Sequence, residues 1–139
     1  MKQFFGVVTF VAFLISAGLS FADEPETPTW TAEVAGSLQA GQEGTVTLTI
    51  RPADGYKWNT AYPAKLLLEN GNIVTFEKQE FRKSRGDITG DDSHGEVRMT
   101  ATGARAGAET ITSTLKFSIC NEQSCKLLTE EIPLPVTVQ

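Results

Sequence analysis

The feature that most constrains this chain is parity. Apolar residues keep to one parity in three separate stretches of the chain, and no segment after residue 29 repeats with a helical period. Val46, Leu48 and Ile50 alternate with Thr45, Thr47 and Thr49. Ile111, Leu115, Phe117 and Ile119 share one parity, with Thr112, Thr114, Lys116 and Ser118 on the other and expected to face outward. Leu128, Ile132, Leu134, Val136 and Val138 are all even-numbered. Successive side chains of a strand point to opposite faces, so a period of two rich in β-branched residues specifies a strand with one dry face. A sheet with one apolar face must bury it against a second layer. The expectation is an all-β fold, an immunoglobulin-like β-sandwich of about seven to nine antiparallel strands.

The punctuation between these runs fits that reading. Residues 40–44, 52–55 and 103–107 are glycine-bearing turns. A first strand is expected from Trp30, and another over 97–102. Short apolar runs at 65–69 and 73–76 flank Asn70-Gly71-Asn72, a hairpin signal. Residues 56–63 read as a loop, and the polar stretch 77–94 as a long surface loop. Pro133 and Pro135 lack ladder donors, which places the last strand at an edge.

The N-terminus has the layout of a secretion signal. Met1, Lys2 and Gln3 precede an apolar run from Phe4 to Ile15, and small residues end at Ser20-Phe21-Ala22 before Asp23 and Glu24. Cleavage is expected after Ala22, although Phe4 to Ala22 is nearly long enough for an uncleaved membrane anchor. Removing residues 1–22 from the 139 leaves 117: a flexible lead-in, 23–29, and one domain, 30–139. The protein is thus expected outside the cytoplasm, in a periplasm or the extracellular space. Net charge is −5 for the whole chain, and −6 once Lys2 is removed. No basic stripe is visible along the chain, so neither nucleic-acid binding nor membrane insertion after signal cleavage is expected.

Both cysteines, Cys120 and Cys125, lie in the exported part, where disulfides form and persist. The four residues between them suit a hairpin loop, which sets the two cysteines opposite each other at a separation that a disulfide tolerates. Their parity places both sulfurs on the outer face or the rim. A bond across so short a loop removes little chain entropy, about 2 kcal/mol. It is therefore either a minor brace or a site of thiol chemistry. Lys126 and Lys116 lie close enough in sequence to favour a thiolate, with Glu122 opposing them, but they read first as solvated surface charges.

Two stretches resemble the periplasmic N-terminal domain of the thiol-disulfide reductase DsbD and its stand-alone relatives. One is Phe117-Ser-Ile-Cys120-Asn-Glu-Gln-Ser-Cys125, leading to Ile132-Pro-Leu-Pro-Val136; the other is Pro52-Ala-Asp-Gly55-Tyr56-Lys57-Trp58-Asn59. The resemblance implies an immunoglobulin-like sandwich whose Cys120 and Cys125 act as a redox pair. Such a pair takes electrons from a membrane thiol reductase or a thioredoxin-like protein and passes them on. The chain would then be one component of a thiol-disulfide oxidoreductase system, with no cofactor of its own. Tyr56, Trp58 and Tyr62 are candidates for shielding the pair, or else core packing. The family's residues after the second cysteine differ from Lys126-Leu127-Leu128 here. The alternative is a non-catalytic binding or structural domain of the cell envelope.

Other constellations point nowhere specific. Asp87, Asp91, Asp92, His94 and Glu96 match neither a calcium loop nor a zinc site, so a solvated acidic loop is expected and no metal. A single histidine leaves Ser113, Ser118 and Ser124 without an evident base. Trp30, Tyr56, Trp58 and Tyr62 divide between core filling and an aromatic binding surface.

Overall fold

The computed structural model describes residues 27–139 together with Gly18, so the expected signal segment and its cleavage point lie outside the described residues. In chain order the strands are β1 (Trp30–Ala35), β2 (Ser37–Leu38), β3 (Glu43–Pro52), β4 (Lys57–Trp58), β5 (Lys65–Leu68), β6 (Val74–Phe76), β7 (Glu80–Arg82), β8 (Ile88–Asp91), β9 (His94–Gly103), β10 (Gly107–Cys120) and β11 (Cys125–Val138). Among the described residues the only helical segment is a 3-10 turn, Lys83–Arg85. No helix there is long and apolar enough to cross a membrane.

The strands form two sheets. Sheet A has the order β1-β3-β9-β6, with β8 also on β9; sheet B has the order β2-β11-β10-β5-β7, with β4 also on β10. Among the described strands β2 pairs with β11 in parallel and all other strand pairings are antiparallel, while an isolated parallel bridge joins Ala40 to Gly103. This is the immunoglobulin-like sandwich that the parity of the apolar residues requires. Val46, Leu48 and Ile50 of β3 meet Ile111, Leu115, Phe117 and Ile119 of β10 in one core, none of them more than 1% exposed. Each such side chain contributes about 1.5–3 kcal/mol on leaving water. Trp58 stacks on Phe117 (centroids 5.6 Å apart, planes at 9°), and Trp30 meets the same ring edge-on at 5.4 Å. Both tryptophans therefore serve packing.

The last strand is expected at an edge; instead β2 flanks its end, but the prolines of β11 lie where that side is uncovered. Thr137 donates its N–H to the Gly36 carbonyl on the outer side of β11. Pro133 and Pro135 share its parity, so their missing donors fall on that same side, where β2 reaches only Thr137 and Val138.

Four further local expectations are corrected. Residues 65–76 do not form a hairpin: β5 joins sheet B and β6 joins sheet A. Both edges of β5 are already taken, by β10 and β7, so the chain uses the Asn-Gly turn to cross between layers. Glu109 of β10 holds that crossing. Its carboxylate accepts the N–H groups of Asn72, Ile73 and Val74, the latter two at 3.0 Å. The stretch 77–94 is not a surface loop, because Phe81 and Ile88 are buried at 2% and 3% exposure and carry β7 and β8. Within 56–63, Lys57 and Trp58 form the short β4 against the end of β10. Finally, Ser118 does not face solvent. It is 1% exposed, covered by the loop whose Asn59 donates from Nδ2 to its Oγ at 3.2 Å.

Candidate functional site at the cysteine-bearing end

The end of the sandwich that carries the cysteines is assembled from the end of β10, the start of β11, the β3–β4 connection and β4. Cys120 and Cys125 are partners in the β10–β11 register, with α-carbons 4.0 Å apart, and are joined as a disulfide. The turn beyond them closes on itself. Asn121 donates its N–H to the Ser124 carbonyl, and its side-chain oxygen accepts the amides of Gln123 and Ser124 at 2.9 and 2.8 Å. An asparagine that bonds its own turn in this way is a common turn device. Because Asn121 and Ser124 are hydrogen-bonded, the cysteines take the next, non-hydrogen-bonded pair. There the side chains come closest, as a cross-strand disulfide needs.

Exposure differs across the bond. Cys120 is half-buried, flanked by β4, in which Lys57 is its register partner and Trp58 is that of Ile119. Cys125, with Lys126 and Leu127 after it, is exposed; Leu127 keeps 71% of its surface open. A cleft of about 300 Å³ opens beside Cys120, lined by Gly55, Tyr56, Lys57, Asn121 and Glu122. Two cations beside the pair, Lys126 next to Cys125 in sequence and Lys57 opposite Cys120 in register, have other partners. Lys126 places its ammonium 5.3 Å from the Tyr56 ring centre, and Lys57 faces Asp92 at 3.7 Å.

The remaining candidates scatter. Trp58 is a core residue, Tyr62 packs half-buried against the core, and of the three aromatics only Tyr56 reaches the cleft beside Cys120. The acidic cluster divides into separate local pairings. Asp87 bonds Lys78 and the Arg82 amide, which hold its carboxyl below the usual range. Asp91 bonds the hydroxyl and amide of Ser93, with the same result. Asp92 faces Lys57, and Glu96 bonds Arg98. Among the described residues no group of three or more metal-ligating side chains converges. Ser113 spends its hydroxyl on the Ile132 carbonyl at 2.5 Å. Sequence reasoning missed β4, because two residues carry no period, although Tyr56 and Trp58 mark the place.

No family model matches the chain, and no curated protein does. Among solved structures it is similar to AggA, the major subunit of aggregative adherence fimbriae from Escherichia coli, with 11% identity over 79% of this chain and 94% of that one, at TM-score 0.40. It is similar to a cohesin module of a Clostridium perfringens glycoside hydrolase, with 12% identity over 80% and 97% and a TM-score of 0.39. A PapD-like domain of human CEP192 shares 9% identity over 99% and 96%, at TM-score 0.36. None of the three is a thiol-disulfide reductase domain. Likenesses this weak carry no argument about activity.

Proposed function

We propose that this chain is an exported, non-catalytic binding or structural domain in which Cys120–Cys125 braces one end of the sandwich. The observation that carries this reading is the position of the bond. It lies where β11 begins with β10 on one side only and three consecutive exposed residues, Cys125 to Leu127. A strand end held along a single edge frays first, since local opening costs least where few contacts are buried. The disulfide opposes that opening. Replacing both cysteines by serine should leave the fold intact, lower stability by about 2 kcal/mol, and raise amide exchange over residues 119–128 alone. A double-serine protein that kept its stability and its local protection would overturn the brace.

A second reading is thiol–disulfide exchange with a membrane thiol reductase or a thioredoxin-like partner. The exposure of Cys125 and the open cleft beside Cys120 favour it, as does the side-by-side placement of 52–59 and 117–125, the two stretches that resemble the DsbD domain. The reduction potential separates the two readings. A brace should stand below about −300 mV, resistant to the glutathione pool, whereas an exchanging pair stands higher.

A further inference from the structure

The sandwich is left open along one seam. β1 ends sheet A, and β11 faces it from sheet B, where β2 covers only Thr137 and Val138. A hollow of about 360 Å³ lies between them, lined chiefly by Trp30, Ala32 and Val34 of β1 and by Glu131, Ile132 and Pro133 of β11. Trp30 and Val34 pack against the core, whereas Ala32, of the same parity, is exposed. The backbone there is equally uncovered. Thr29 accepts the Ala53 amide, one step beyond the Trp30–Pro52 register pair. Hydrogen-bonded pairs alternate along an antiparallel ladder. Thr31, Glu33 and Ala35 therefore bond β3, while the N–H and C=O groups of Trp30, Ala32 and Val34 point into the seam. Among the described residues no other strand or loop backbone takes them up. Natural edge strands are guarded by shortness, charge or proline. β6 and β7 have three residues each and β2 has two, and β11 lacks donors at Pro133 and Pro135. β1 has six residues and no proline, and its one charge, Glu33, is held by Arg51 at 3.4 Å.

We propose that this seam takes an extended segment of a partner protein, added as a strand to the free edge of β1, with apolar side chains in the hollow and a lysine or arginine on Glu131. Donors and acceptors repeating at strand spacing select a polypeptide, which main-chain hydrogen bonds hold as an added strand. The charges select its sign. On β1, on β11 from 129 to 135 and on their register partners, Glu33, Glu130 and Glu131 stand against Arg51 and Lys116. Glu131 is the only charged residue lining the hollow, and among the described residues no ion pair involves it or Glu130. The chain's net charge of −5 favours a cationic segment at longer range. A second copy would repeat the same excess of carboxylates. Residues 23–29 carry Asp23, Glu24 and Glu26 and no cation, so this chain's own lead-in has the wrong sign as well. The inference names a surface and a partner chemistry for the binding domain proposed above and rests on that reading, but not on the cysteines.

The test is an NMR titration of residues 23–139 with the peptide Thr-Val-Thr-Lys-Thr-Val-Thr, beside the same peptide with glutamate in place of lysine. The lysine peptide should bind and slow amide exchange at Trp30, Ala32 and Val34. Thr31 and Glu33, already bonded to β3, should not change. The glutamate peptide should bind about threefold or more weakly. Glu131→Gln should weaken the lysine peptide by about the same factor and abolish the preference between peptides. Ala32→Pro deletes an edge donor without touching the β3 ladder and should weaken both peptides about tenfold. Glu122→Gln removes the same charge at the cysteine-bearing end and should bind as the wild type does. Urea melts check that each variant folds; if Ala32→Pro does not, Glu131→Gln and the exchange pattern still decide. Absence of binding, equal binding of both peptides by the wild type, or protection at another sheet edge in place of β1 overturns the proposal. Dimerisation that Ala32→Pro abolishes, without peptide binding, overturns it in favour of a second copy. Because every protein here retains Cys120 and Cys125, failure of the seam leaves the brace standing. A high reduction potential would remove the brace without touching the peptide result.

Discussion

Gly95 shows how a single residue fixes the approach of the two sheets. It is buried at the start of β9, and a β-carbon built there would lie 2.5 Å from the Trp58 ring. That ring is clamped on its other side by Phe117, so it has no room to retreat. Gly95→Ala should therefore cost about 1–3 kcal/mol, the usual penalty of overpacking a dense core, read as a lower midpoint in urea. A substitution that left the midpoint unchanged would mean that Trp58 is free to move. Ser118 illustrates the same scale from the polar side. Its parity marks it as exposed, and only the neighbouring loop, through Asn59, buries it.

At the scale of elements, the stretch 77–94 is the informative case. Its composition is that of a solvated loop, yet Phe81 is one of the largest fully buried side chains. With Glu80 and Arg82 on the outer face, it makes β7 a three-residue edge strand on β5. Phe81→Ala should cost about 3–5 kcal/mol by removing a core aromatic, whereas a true surface loop would lose less than about 0.5 kcal/mol. Thermal unfolding distinguishes the two. The long strands were legible in the sequence, because apolar residues held to one parity along them leave few other structures. The short ones were not, since two to four residues carry too little period to outweigh their polar surroundings.

At the scale of the whole molecule, the tie between sheets depends on protonation. Glu109 in sheet B accepts three amides from the segment that leads into β6 of sheet A. Partial burial acts to raise its carboxyl pKa, but the Asn72, Ile73 and Val74 amides outweigh it, and the value lies below the ordinary 4.5. A depressed carboxylate contributes stability that is fully present above its unfolded value and is lost as pH falls through its folded one. The domain should thus lose stability on acidification below the ordinary carboxylate range. Glu109→Gln should be less stable at neutral pH and should show a shallower acid dependence than the wild type. Denaturant melts at a series of pH values check both, and parallel curves for the two proteins would refute the link.

What the sequence determined alone is whatever rests on neighbours along the chain. Alternation named the core faces of β3, β10 and β11, the prolines named the side of β11 that is left largely unpaired, and a four-residue spacing put Cys120 opposite Cys125. Tertiary structure decided whatever rests on neighbours across strands and layers. It sent β5 and β6 to different sheets because the edges of β5 were already filled, folded Asn59 over Ser118, and left the edge of β1 open beside β11. Hydrogen-bond ladders align residues by register, not by distance along the chain, so two positions fifty residues apart become adjacent only after the sheet has formed.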